Sequence, residues 1–279
     1  MSVDLHAHTT ASDGTFRPRR LVKRAVKNGV RVLAITDHDT TAGLAEALDE
    51  AARWSIDIIP GIEINTEYHD REAHILGYFI DVENASLQQR LAEVREKRLT
   101  RLRSILDRLS ALGLEVTEED VARYGKGESL GRPHVAQAMV ARRYAFNVAD
   151  AFDRYLGREG AAYVPRVSLS APDAIALIRG AGGVPVVAHP CYLQSDRIIE
   201  ELVAAGLGGI EACYPTHTLA QREHFINLAR VHGLGVTGGS DFHGPQIKRI
   251  DVGDIDFSLT DLRKFCELVG RVPPRLARS

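Results

Sequence analysis

The chain has 279 residues, 44% hydrophobic and 26% charged, with a formal net charge of −2 at neutral pH. That length fits one barrel-sized domain or two smaller ones, and the balance is that of an ordinary globular protein. It excludes a strongly basic protein that coats nucleic acid, though a local basic pocket remains compatible, and no apolar run approaches the roughly 20 residues that span a bilayer.

Strand and helix signals alternate through the first third. VDLHAH (3–8) reads as a strand with Val3, Leu5 and Ala7 on one face and His6 and His8 on the other, because side chains alternate along a strand. RPRRLVKRAVKNG (17–29) reads as a helix with Pro18 in its first turn and Gly29 at its stop. RVLAITDHD is a second strand and TAGLAEALDEAARW a second helix. IDIIPGIEIN is a third strand, interrupted by Pro60-Gly61, and HILGYFI a fourth. From Ser86 to about Leu112 the apolar residues Leu91, Val94, Leu102, Ile105 and Leu109 fall three or four apart, which predicts a long helix. Shorter helices follow in TEEDVARYG, RPHVAQAMVARRY and NVADAFDRYLG. With no strands to alternate with, residues 86–160 read as an inserted all-helical subdomain between barrel parts at 1–85 and 161–279. Alternation then resumes, with strands in VPVVAHP, GIEACYP and LGVTGGSDFHG and helices from 171, 196, 219 and 259 onward. About seven strands interleaved with helices predict an α/β fold with a mostly parallel sheet.

The three cysteines, Cys191, Cys213 and Cys266, contain no Cys-x-x-Cys, so neither a disulfide framework nor a zinc ribbon is indicated. With no secretory signal before the first strand, a cytoplasmic location with reduced thiols is expected. Cys191, beside His189, has no paired base and reads as a packed residue rather than a nucleophile.

Polar residues collect at predicted strand ends. His6 and His8 end the first strand, Asp37, His38 and Asp39 the second, and Glu63 the third. His189 ends VPVVAHP, and Asp241 and His243 end the last strand. His74 alone lies at a strand start. In a closed β/α barrel the C-terminal strand ends converge on one rim, which would bring both ends of this chain together. Imidazoles and carboxylates without required thiolates suit Mn²⁺, Fe²⁺ or Zn²⁺. The donors exceed the need of one ion and predict two or three, with Glu63 bridging two of them. Asp37 or Asp39 is expected to orient an imidazole from behind.

The elements DLHAHTTASDG, ITDHDT, GIEI, the histidine before ILGY, AHP and GSDFHG, in that order, resemble the PHP (polymerase and histidinol phosphatase) family of metal-dependent phosphoesterases. The resemblance implies a distorted seven-stranded β/α barrel with a two- or three-metal centre, Mn²⁺ being favoured over Zn²⁺ or Fe²⁺. It implies as metal ligands His6, His8, Asp13, His38, Glu63, His74, His189, Asp241 and His243. Many relatives carry histidine where this chain has Asp13. SLGRPHVAQAMV and GIEACYPTHT are similar to a branch that includes phosphatases for nucleoside 3′,5′-bisphosphates and enzymes trimming short RNA from the 5′ end.

Hydrolysis of a nucleotide phosphomonoester, such as the 3′-phosphate of adenosine 3′,5′-bisphosphate, is therefore expected, through a hydroxide shared by two metals. A 5′–3′ exonuclease on short RNA or DNA and a non-catalytic metal-stabilised module are the alternatives. Amidohydrolase chemistry on a C–N bond is a further one. Arg132 and His134 are candidate phosphate binders, because a guanidinium fork matches phosphate oxygens. Arg19, with its neighbours Arg17 and Arg20, and Ser12 are candidates for a second phosphate contact. His217 is the candidate leaving-group acid or substrate hydrogen bond, and Tyr214 either meets a nucleobase or caps the core. The expected partner is a small nucleotide or short oligonucleotide, without a membrane and without a stable nucleic-acid complex.

Overall fold

The computed structural model describes residues 2–69, 71–125, 130–165, 169–245, 247 and 249–275. The chain forms two compact units, Met1–Gln89 with Leu169–Ser279, and Arg90–Ser168.

The first unit is α/β. Its strands are β1 (Ser2–Asp4), β2 (Val30–Ile35), β3 (Asp57–Tyr68), β4 (Arg71–Tyr78), β5 (Leu169–Ser170), β6 (Val184–Val187), β7 (Gly209–Cys213) and β8 (Gly235–Gly238). They lie in the order β1-β2-β3-β4-β6-β7-β8, with β5 pairing β3 off this path. Helices α1 (Pro18–Lys27) and α2 (Leu44–Ala51) lie within the first half, and α3 (Ala85–Ala111) leads out of it. Among the described residues the remaining α-helices are α4 (Glu118–Ala122), α5 (Arg132–Ala141), α6 (Val148–Ala151), α7 (Ala171–Gly180), α8 (Asp196–Ala204), α9 (Leu219–Val231) and α10 (Leu259–Leu268).

Most strand pairs are parallel, but β4 runs antiparallel to both β3 and β6. The ends of the strand order meet beyond the strands themselves. Leu5 N–H donates to Gly238 O at 3.1 Å, Asp241 N–H to His6 O at 2.8 Å and His8 N–H to Phe242 O at 2.9 Å. The alternation read in VDLHAH thus continues past Asp4, carried by contacts with the 238–242 segment.

Pro60-Gly61 does not interrupt β3. Residues up to Pro60 pair with β2, and from Gly61 onward the strand pairs with β4. Pairing with β4 begins where proline has no N–H to give and where a Cβ on Gly61 would lie 2.9 Å from Ile35 O.

Strand β2 is apolar on both faces because both are covered. Val32 and Ala34 join a core with Leu5, Leu76, Tyr78 and Phe265, while Leu33 and Ile35 join another with Leu21, Val22, Ala47 and Phe242. Each such aliphatic side chain stabilises the fold by about 1.5–3 kcal/mol when fully buried. Helix α1 supplies Leu21, Val22 and Ala25 to that second core from one stripe and leaves its basic residues outward.

The described part of the second unit is helical with a core of its own, in which Leu102, Ile105, Leu109, Val121, Val135, Met139 and Leu156 are buried. Helix α4 starts at a reciprocal cap between Thr117 and Asp120. No described helix is long and apolar enough to cross a membrane.

Candidate metal centre

All nine residues proposed from sequence as ligands meet in one hollow of the first unit. Eight of them offer ligand atoms in three overlapping groups, each within 4.8 Å: His8, Asp13, His38 and His243; His6, His8 and Asp241; and His38, Glu63 and His74; His189 joins through Glu63. Glu63 is the pivot. Its Oε2 lies 3.2 Å from His6 Nε2, 3.1 Å from His8 Nε2 and 3.2 Å from His38 Nδ1. Its Oε1 lies 2.9 Å from His74 Nδ1 and 3.2 Å from His189 Nε2. Asp241 Oδ1 stands 3.2 Å from His8 Nε2 and 3.3 Å from His243 Nδ1, and Asp13 Oδ1 is 3.4 Å from His243 Nε2.

The antiparallel turn of β4 explains the one histidine at a strand start. Asn65 pairs with His74 and Glu63 with Leu76, so the beginning of β4 lies beside the second half of β3. His74 therefore reaches the same rim as residues ending parallel strands. Glu63 itself lies inside β3 rather than at its end. Two donors also occupy left-handed backbone, His189 at φ 28° and Asp241 at φ 51°, as does Asp39 at φ 54°. Such conformations are uncommon for residues with a Cβ and persist where the surrounding structure enforces them.

The donors fit divalent cations. Bonds of about 2.1 Å set neighbouring ligand atoms about 3.0–3.4 Å apart in octahedral or tetrahedral shells, and most of the spacings around Glu63 fall in that range. His6 Nε2 faces His8 Nε2 at 3.1 Å, so two ring nitrogens aim at one point. Among the described residues, His8 Nδ1, Asp13 Oδ1, His38 Nδ1 and His74 Nε2 are buried without a hydrogen bond. Burial pulls the His8 imidazole down, but Asp241 and Glu63 overcome it and raise its pKa to about 10. Burial also opposes charging His6, yet Glu211, Glu63 and Asp241 hold it well above the ordinary value. His38 moves the other way, to about 3, because burial outweighs Glu63 and Asp13. Glu63 resists burial and stays well below the carboxylate range because His38, His6 and His74 surround it.

Several groups shape the hollow from behind. Glu211 is fully buried; its Oε1 lies 2.9 Å from His6 Nδ1 and its Oε2 accepts the His189 N–H at 2.8 Å. The sequence reading missed it, although a glutamate inside the apolar strand GIEAC was itself a signal. Asp4 accepts the N–H groups of His6 and Ser240 through Oδ1 and that of Gly253 through Oδ2, tying the chain's two ends together. Tyr214 is buried and donates its hydroxyl to Asp241 Oδ2 at 2.9 Å, which places it behind a donor rather than against a base.

The other candidate residues make bonds of their own. Asp37 does not orient an imidazole in the bonds it makes: it accepts Thr9 N–H, Thr9 Oγ1 and Ser12 Oγ, each at 2.7 Å, and so holds the loop between His8 and Asp13. Ser12 is thereby buried and committed to Asp37, not presented to phosphate. Asp39 accepts the backbone and side-chain N–H groups of Asn65. Arg19 sits on exposed α1, 3.2 Å from Glu50. His217 donates from Nδ1 to Ala212 O at 2.9 Å, and burial lowers its pKa. Its Nε2 is left as an acceptor, which suits receiving a hydrogen bond better than delivering a proton. Arg132 and His134 belong to the second unit. There Arg132 donates to Leu156 O at 3.4 Å, and His134 Nδ1 accepts Gly131 N–H at the start of α5.

Fold and site together define a metal-dependent hydrolase of the α/β class. The PHP domain matches residues 4–145. A 5′-3′ exoribonuclease, Rnm, of Salmonella typhimurium is 39% identical over 249 residues, covering 87% of this chain and 85% of the relative. A 3′,5′-nucleoside bisphosphate phosphatase of Chromobacterium violaceum is 35% identical over 276 residues, covering 97% and 95%. A solved structure from Chromobacterium violaceum, described as an amidohydrolase with bound sulfate and no metal, has a TM-score of 0.86 at 33% identity and covers 96% of this chain and 97% of that one. The chain belongs to the PHP family and is a metal-dependent phosphoric ester hydrolase.

Proposed function

We propose that this protein removes the 3′-phosphate from a nucleoside 3′,5′-bisphosphate such as adenosine 3′,5′-bisphosphate. The observation that carries the reading is the double-sided contact of Glu63, three imidazoles on one oxygen and two on the other. Similarity over nearly the whole length to a bisphosphate phosphatase supports the substrate. The same centre serves a second reading, stepwise 5′–3′ cleavage of short RNA, which the exoribonuclease relative favours.

The scaffold in this reading is a distorted barrel of seven strands closed by the Leu5–Gly238 and His8–Phe242 hydrogen bonds, with residues 90–168 as an inserted helical subdomain. Two or three divalent cations, Mn²⁺ first, would be held by the overlapping sets His6, His8 and Asp241; His38, Glu63 and His74; and His8, Asp13, His38 and His243, with His189 beside Glu63. When bound, such cations supply a water acidified toward pKa about 7 and offset charge on phosphate oxygens. The chain's own part is positional. Glu63 and Asp241 hold the imidazoles in place, Glu211 sets which nitrogen of His6 faces inward, and the buried floor under His6 and His8 keeps bulk water out. His217, with Nε2 as an acceptor, orients a substrate hydroxyl. A set with every donor present also separates this chain from a non-catalytic module.

The test is phosphate release from adenosine 3′,5′-bisphosphate with Mn²⁺, by wild type and Asp241→Asn. Release by the wild type and a fall of at least 100-fold in the variant are expected. Unchanged turnover in Asp241→Asn would remove the centre from the reaction, and mononucleotides released stepwise from 5′-phosphorylated RNA, without activity on the bisphosphate, would favour the second reading.

A further inference from the structure

We propose that the cleft between α1 and residues 242, 245 and 249–251 is a groove for the phosphate backbone of a single-stranded oligonucleotide, holding nucleotides beyond the one being hydrolysed. The inference rests on the phosphoester reading above and names a longer substrate for that same centre.

The cleft encloses about 510 Å³ and is lined by Arg20, Lys23, Arg24 and Lys27 of α1, with Arg249 opposite. Among the described lining residues the one carboxylate, Asp251, is already bound by Arg24, whose Nε donates to Oδ2 at 2.9 Å. Arg20, Lys27 and Arg249 are exposed and pair with no carboxylate among the described residues. The Arg20 guanidinium lies 3.8 Å from the centre of the Phe16 ring, which fixes its direction. On a chain whose net charge is −2, this concentration of unneutralised cations is local.

Helical spacing supplies the geometry. Arg20, Lys23, Arg24 and Lys27 stand at i, i+3, i+4 and i+7 on one face; Lys23 lies 3.6 Å from Glu50 and Arg24 binds Asp251, so the unpaired charges of Arg20 and Lys27 stand about 10 Å apart along it. A row of that length matches successive phosphates of a strand better than the single phosphate of a mononucleotide. A neighbouring hollow of about 560 Å³ shares Arg20 and Lys23 but is also lined by Glu46 and Asp49, which repel an anion. Residues lining the groove adjoin donors of the metal centre in sequence, and a neighbour of Phe16 does so by a hydrogen bond. Its Phe16 and Phe242 rings pack edge to face at 5.4 Å, Phe242 lies between Asp241 and His243, and Thr15 N–H donates to His243 O at 2.7 Å.

The test is fluorescence anisotropy of the full chain with a labelled eight-nucleotide RNA in EDTA, so that binding is read without turnover. Lys27→Ala combined with Arg249→Ala is expected to weaken binding at least tenfold and to make the log–log salt slope shallower by about 1.4. Phosphate release from adenosine 3′,5′-bisphosphate should stay within twofold, and Lys27→Arg with Arg249→Lys should restore RNA binding. Unchanged RNA affinity and slope would overturn the groove, as would equal losses on RNA and on the bisphosphate. RNA bound in EDTA with no phosphate release under Mn²⁺ would sink the proposed reaction and leave the groove standing.

Discussion

Replacing Glu211 by glutamine changes one atom type in a fully buried group that touches no proposed cation. The carboxylate has two obligations: Oε2 accepts the His189 N–H at 2.8 Å, and Oε1 lies 2.9 Å from His6 Nδ1. A backbone N–H only donates, so the glutamine must turn its oxygen to His189 and its NH₂ to His6. His6 Nδ1 then has to accept, which moves the ring proton to Nε2, the atom 3.1 Å from His8 Nε2 and 3.2 Å from Glu63 Oε2. In the neutral ring that receives a cation, a lone pair aimed into the hollow becomes an N–H, and one donor is lost without any change in ligand identity. Loss of an outer partner of this kind lowers metal affinity by about 10–100-fold, or about 1.4–2.7 kcal/mol. Mn²⁺ titration measures the affinity, and ¹⁵N NMR of the His6 ring reads the tautomer. Wild-type affinity in Glu211→Gln, together with an unprotonated Nε2, would refute the reasoning.

The protons held on the cluster predict a pH dependence. His8, raised to about 10, is charged in the metal-free protein at pH 7, and a cation must displace that proton. The free protein binds more protons than the loaded one, so Mn²⁺ affinity should rise with pH, about tenfold per unit for each proton displaced. Binding in weakly buffered solution should acidify it, and a flat affinity between pH 6 and 8 would contradict the assignment. Gly239 is a packing prediction: a Cβ there would overlap the His6 backbone and side chain. Gly239→Ala should cost about 1–3 kcal/mol of stability and lower metal content, as read by thermal unfolding and elemental analysis. Full metal loading at an unchanged melting temperature would show that the site yields more than this packing suggests.

Sequence by itself determined the chemistry and most of the ladder. Period-two alternation in VDLHAH already separated an apolar face from an imidazole face, and polar residues at strand ends already marked one rim. These signals are local, because side-chain direction along a strand follows from backbone geometry alone. Tertiary structure decided what depends on neighbours distant in the chain. The reversed direction of β4 brings His74 to the rim. Pro60-Gly61 continues a strand because it falls where pairing with β4 begins. Ser12 and Asp37 serve each other, Arg19 lies over Glu50, and Glu211 reaches His6 across 205 residues of sequence. A hydrogen bond is a relation between two groups, and composition or spacing around only one of them does not contain it.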